Sequence, residues 1–140
     1  FIMANEATLI HELELPIPFT CANGTGIAKG ALLKLTDPMT VALADGAADV
    51  IAGIAGAEKI ADDGITKIPV YMRGIFKMLS DGTVAVGAGV MADGSNPNEF
   101  ITATAAADAA AVFGIALETV ADGETGMVLV NVGIGGSPET

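Results

Sequence analysis

The chain has no tryptophan, one tyrosine, one cysteine and one histidine, and it sets only 6 lysines and arginines against 17 acids. Each shortage excludes something. A lone cysteine, Cys21, cannot build an intrachain disulfide framework and reads as a small buried hydrophobe. A lone histidine, His11 beside Glu12, makes neither a metal centre, which recruits several His or Cys ligands, nor a Ser–His or Cys–His nucleophile system. It reads as a solvated or interfacial side chain. The net charge of −11 leaves too few cations to displace counterions from phosphates, so nucleic acid is not an expected partner, and an anionic membrane surface is disfavoured for the same reason. No run approaches the roughly 18 apolar residues of a membrane helix. The opening Phe1-Ile2-Met3-Ala4-Asn5-Glu6 lacks the basic n-region of a signal peptide. A soluble protein that is not conventionally secreted is expected.

Aromatics make up 4% of the 140 residues, and much of the 51% hydrophobic fraction is alanine. Such a chain most simply forms one domain that buries roughly two-thirds of its unfolded surface. Its core should be thin, because each buried Val, Leu or Phe contributes about 1.5–3 kcal/mol and alanine much less. Charged residues are 16% of the chain, against about 25% in ordinary soluble domains. Both observations point to surface covered by a partner or by further copies.

What is present is a repeated pattern. Val50 to Phe76, VIAGIAGAEKIADDGITKIPVYMRGIF, has a counterpart about sixty residues later in Val112 to Val132, VFGIALETVADGETGMVLVNV. Each runs through a Gly-Ile-Ala strand (Gly53-Ile54-Ala55; Gly114-Ile115-Ala116) to a glutamate, Glu58 or Glu118, then an Asp-Gly turn at Asp63-Gly64 or Asp122-Gly123, then a second apolar strand. Upstream, Gly26–Leu33 answers Thr83–Val90, and Met39–Ala44 answers Phe100–Ala105. These matches predict an all-β fold, a small β-barrel or sandwich of β-tulip-like form, built from pseudo-repeats at about residues 24–77 and 81–132 within one β domain, 21–132.

Ahead of it, residues 1–20 read as an extended N-terminal arm. Leu13 and Leu15 alternate with polar residues, and Pro16-Ile17-Pro18 cannot donate ladder hydrogen bonds. Such an arm is suited to adding a strand to another chain. Strands are predicted at Ala31–Leu35, Thr40–Ala44, Val50–Glu58, Ile65–Tyr71, Gly74–Leu79 and Thr83–Val86, with turn signals every 8–12 residues, as in barrels and sandwiches. The alanine-rich stretch 102–112 invites a helix. Its counterpart is punctuated by Asp45-Gly46, so a loop or single helical turn near Ala106–Ala110 is predicted there, with little helix elsewhere. Residues 133–140 read as a flexible tail.

No catalytic, cofactor-binding or metal-ligating residues stand out. Asp37, Asp45, Asp49, Asp62, Asp63, Asp81 and Asp93 lie mostly beside glycine, as hairpin turns require, and no twelve-residue calcium loop is present. Gly24-Thr25-Gly26 with Lys29-Gly30 lacks the order of a phosphate-binding loop. Glu58 and Glu118, placed alike in the two halves, read as solvated strand ends and not as an acid–base pair.

Gly53-Ile54, Asp63-Gly64-Ile65-Thr66 and Val70-Tyr71-Met72-Arg73-Gly74-Ile75-Phe76-Lys77 resemble the central stretch of tailed-phage head-decoration proteins, including the lambda-like type. Asn5-Glu6-Ala7-Thr8-Leu9, Pro16-Ile17-Pro18 and Gly26–Pro38 are similar to a capsid cement family of phage and prophage structural modules. The resemblance implies a β-rich virion protein, often trimeric, on the outer surface of an expanded head, with the major capsid protein as partner. It also implies that an N-terminal arm contacts the capsid by strand addition, which assigns Leu9, Leu13, Leu15, Ile17 and Phe19 as the contact residues. A different class, a barrel-sandwich carrier or ligand-binding module, is suggested by Gly26–Leu33 and Thr83–Val90, with Lys59 as its candidate modified lysine.

Overall fold

The computed structural model describes residues 5–47, 49–104 and 106–132, so the predicted tail at 133–140 lies outside the described residues. Among the described residues eleven strands and one short 3-10 helix follow one another. They are β1 (Thr8–Glu12), β2 (Ile17–Thr20), β3 (Leu32–Asp37), β4 (Thr40–Leu43), β5 (Ile51–Ala55), β6 (Lys67–Tyr71), β7 (Arg73–Ser80), β8 (Gly89–Ala92), β9 (Glu99–Thr102), β10 (Gly114–Ala116) and β11 (Thr125–Asn131). The helix, Ala106–Ala111, sits where the sequence suggested a single helical turn. Thr83–Val86 does not form its predicted strand and contributes one isolated bridge, Val84 to Val120.

The fold is all-β and contains two closed five-stranded barrels of identical topology. Barrel 1 runs β2-β4-β3-β5-β6 and closes by β6 pairing with β2. Barrel 2 runs β7-β9-β8-β10-β11 and closes by β11 pairing with β7. In each, the first and third strands meet in parallel, through Thr20 and Thr40 in barrel 1 and through Ser80 and Phe100 in barrel 2. All other pairs within the barrels are antiparallel. Closure removes free edges from both barrels, the usual answer of an all-β chain to edge-to-edge aggregation.

Matching backbone bonds place the repeat more finely than the sequence did. Ile27 and Lys59 exchange N–H···O bonds of 2.8 Å, as do Val84 and Val120. Lys59 therefore matches Val120, Glu58 matches Thr119, and Glu118 stands one place earlier than its supposed equivalent. The turn register moves too. Asp62 N–H bonds Asn23 O as Gly123 N–H bonds Ser80 O, and both turn residues have positive φ, 61° and 77°. Asp62 tolerates that conformation because a short polar side chain can bond locally, so the equivalent of Gly123 is Asp62 and not Gly64.

Two cores result instead of one. Phe19, Ile27, Leu33, Val41, Ile68 and Val70 fill barrel 1. The second cluster centres on Phe76, Met78, Val90, Phe100, Phe113 and Val128 of barrel 2 and extends to Leu32, Ile51 and Ile54 of barrel 1. This explains the unbroken apolar run of β5, which is buried at every position. Ala52 and Ala55 pack in the first core and Ile51 and Ile54 in the second. A strand buried on both faces has no reason to alternate. Gly53 and Gly114 occupy the tightest crossings, where a Cβ would enter the carbonyl oxygen of Tyr71 or Leu129.

Candidate interaction surface

The N-terminal segment is strapped to the body. Ala7 is buried, and its N–H bonds Gly30 O at 3.1 Å. Gly30 has φ 84° and lies so close to Glu6 and Ala7 that any Cβ would collide with them. The strap is pinned by Asn98, which is 8% exposed with φ 64°. Its Oδ1 accepts from Leu32 N at 2.6 Å, and its Nδ2 donates to Asn5 O and Gly30 O, both at 2.9 Å. Asn98 thus ties the strap, barrel 1 and the β8–β9 loop of barrel 2 together, and Asn5 Nδ2 donates in turn to Pro97 O.

Beyond the pin, β1 pairs antiparallel with β7 through Thr8–Lys77, Leu9–Phe76, His11–Ile75 and Glu12–Gly74, with Ile10 bulged out of register. At its far end Tyr71 Oη donates to Glu12 Oε2 at 3.0 Å, and burial, then Glu12, pushes the phenol above its ordinary range. Between strap and barrels lies a cleft of about 280 Å³ lined by Glu6, Leu9, Lys29, Gly56, Tyr71 and Phe76. Among the described residues β1 is the only strand with one unpaired edge.

The five expected contact residues divide. Leu13 and Leu15 are exposed on the ribbon between β1 and β2, Leu15 at 76%, and Ile17, also exposed, is the first residue of β2. Leu9 is half-buried against the second core. Phe19 is 3% exposed inside barrel 1 and is not available to a partner. Its strand β2 pairs with β6 and closes that barrel, so the segment outside the barrels ends before Ile17. Ile10, 40% exposed at the bulge, joins the exposed set. Its apolar side chain on an otherwise polar strand end was the signal for it.

Three carboxylates meet where the sequence showed only turns. Asp81, Asp93 and Glu99 bring oxygens within 4.8 Å of one another at one end of barrel 2. Burial and the neighbouring acids push Asp81 and Glu99 above the ordinary carboxylate range. Burial also opposes the charge of Asp93, but the Ser95 and Asn96 N–H groups and the Asn96 amide outweigh it and hold that group below the range.

Lys59, the lysine a carrier domain would present, is 1% exposed. Its Nζ donates to Asn23 O at 2.6 Å, Thr25 O at 3.1 Å and Ile60 O at 3.2 Å, and lies 3.5 Å from Asp63. The Ile65 N–H, more than Lys59, draws the Asp63 carboxyl below its usual range against burial. In barrel 2 the matching carbonyls, Gly82 O and Ala121 O, accept from Ser80 Oγ at 2.7 and 3.4 Å. Lys59 is therefore a structural clamp enclosed by backbone, and a modifying enzyme would find no exposed hairpin lysine there.

Two sealed barrels, a strapped edge strand and an apolar ribbon form a binding module whose chemistry is contact with another surface. The comparisons give that class its particular member: the phage cement protein family matches residues 10–133, and the chain belongs to that family. It is a phage head-decoration protein of the virion's capsid surface, with a structural, stabilising role in the phage head. Among solved structures it is similar to the head fiber gp8.5 N base in bacteriophage phi29, at 13% identity and a TM-score of 0.57, covering 89% of this chain and 98% of that one. That likeness concerns the fold. No curated protein matches the chain. Among the described residues no helix is long and apolar enough to cross a membrane.

Proposed function

We propose that this chain decorates the outside of an expanded head and stabilises it by bridging neighbouring major capsid proteins, acting as a homotrimer and without enzymatic activity. The observation that carries the proposal is the unpaired edge of β1, which continues into the exposed ribbon of Leu13 and Leu15. A capsid segment lying along that edge would gain main-chain hydrogen bonds, while the leucines would occupy shallow pockets. Many copies around one shell would make modest contacts collectively strong. The acidic balance suits the exterior, away from packaged DNA.

Residues 1–20 cannot simply be deleted, because that would remove β2 from barrel 1. The test is Leu13→Asp with Leu15→Asp, both exposed, measured by co-sedimentation with heads lacking the protein. A folded variant that no longer binds heads, and heads that then lose heat resistance, is the expected outcome. Unchanged decoration by this variant would remove the ribbon from the contact.

A further inference from the structure

The two barrels share a topology but not an exterior. On β7 the buried positions Gly74, Phe76 and Met78 alternate with Arg73, Ile75 and Lys77, which face outward. Met127 and Leu129 of β11 lie opposite Lys77 and Ile75. Leu117, just past β10, is 37% exposed beside Met127, whose carbonyl accepts the Leu117 N–H. The outer wall of barrel 2 is thus a band of apolar side chains carrying two of the chain's 6 lysines and arginines. Among the described residues, ion pairs occur at Lys34–Asp45 and Lys59–Asp63, and neither Arg73 nor Lys77 is in one. The matching wall of barrel 1 is different: Pro18 faces Pro69, and Thr20 faces Lys67.

Barrel 1 carries the opposite chemistry at one rim. Leu35, Met39 and Val50 are 45%, 52% and 48% exposed there. Leu35 N–H bonds Val50 O, and Met39 stands in the β3–β4 turn beside Asp37. Asp49 flanks Val50 and caps the loop through the Asp45 and Gly46 N–H groups. The first surface is apolar with two cations beside one carboxylate, Glu118, which accepts the Met127 N–H; the second is apolar with Asp37 and Asp49 beside the Lys34–Asp45 pair. In a chain of net charge −11, copies repel in general and are steered toward the one pairing that sets cations against acids.

We infer that the basic, apolar outer wall of barrel 2 docks on the acidic, apolar rim of barrel 1 of a second copy of this chain. The two surfaces differ, so the contact is head-to-tail and closes into a ring when the rotation allows. This deepens the self-association stated above by naming its surfaces.

The test uses the purified full chain without heads, followed by sedimentation velocity across a concentration series at low and high salt. An assembly weakened by salt is expected. Arg73→Glu with Lys77→Glu should weaken it at least about tenfold, as close interfacial charge pairs do. Adding Asp37→Lys should restore it, and Met127→Asp should abolish it while circular dichroism stays unchanged. A monomer at every concentration, an assembly indifferent to these substitutions, or no restoration by Asp37→Lys overturns the docking. Head binding by the Leu13→Asp, Leu15→Asp variant is a separate assay, so failure there concerns the capsid contact, and failure in sedimentation concerns the ring.

Discussion

Replacing Asn98 by alanine should release the N-terminal strap. Three bonds disappear together: Leu32 N to Oδ1 at 2.6 Å, and Nδ2 to Gly30 O and Asn5 O at 2.9 Å. The orphaned Leu32 N–H is buried and costs about 1–3 kcal/mol, while each carbonyl, with a second lone pair, costs about 0.5–1.5 kcal/mol. Alanine at φ 64° adds about 1 kcal/mol, because Asn tolerates the left-handed region and alanine does not. The sum is about 3–7 kcal/mol, a large share of the 5–15 kcal/mol that holds a typical domain together. Urea unfolding gives the total, and amide exchange over residues 5–12 tells strap release from general loosening. Asn98→Gly relieves the backbone but loses the same bonds, so it should recover only about 1 kcal/mol. An Asn98→Ala protein within about 0.5 kcal/mol of the parent, with unaltered exchange at Ala7 and Leu9, would refute the role given to this residue.

Lys59→Met keeps the volume but leaves the Asn23, Thr25 and Ile60 carbonyls without their charged donor, and should lower stability by about 2–4 kcal/mol in the same titration. No measurable loss would mean that the clamp is dispensable. The raised carboxyls of Asp81 and Glu99 set the sign of a pH effect. The folded state binds their protons more tightly than the unfolded chain does, so the cluster weakens the fold at neutral pH and stops doing so as the pH falls through the raised values. Asp81→Asn should therefore raise the melting temperature at neutral pH, with the gain vanishing at acid pH. A gain constant with pH would disprove the repulsion.

Strands and glycines carried most of the fold into the sequence. The Gly-Ile-Ala segments announced the duplication because only glycine fits where β5 crosses β6 and β10 crosses β11. Turn chemistry was legible in kind and not in register, since Asp62 and Gly64 both sit at positive φ in barrel 1 and one Asp-Gly pair looks like another. The arm ends one strand sooner than its prolines suggest: Pro16-Ile17-Pro18 signals an edge, but Pro18 and Pro69 pair within a closed barrel, and the next residue, Phe19, is buried in its core. The acidic trio and the Asn98 pin were invisible, because each gathers residues distant in sequence through pairings that no local pattern encodes.

The double burial of β5 also couples the two barrels. A front unit cut free at Met72 would turn Leu32, Ile51 and Ile54 toward water. Losing those three contacts forfeits about 5–9 kcal/mol, comparable to the whole stability of a small domain. Neither half is therefore a spare part: a strand that serves two interiors makes the two barrels fold and fail together.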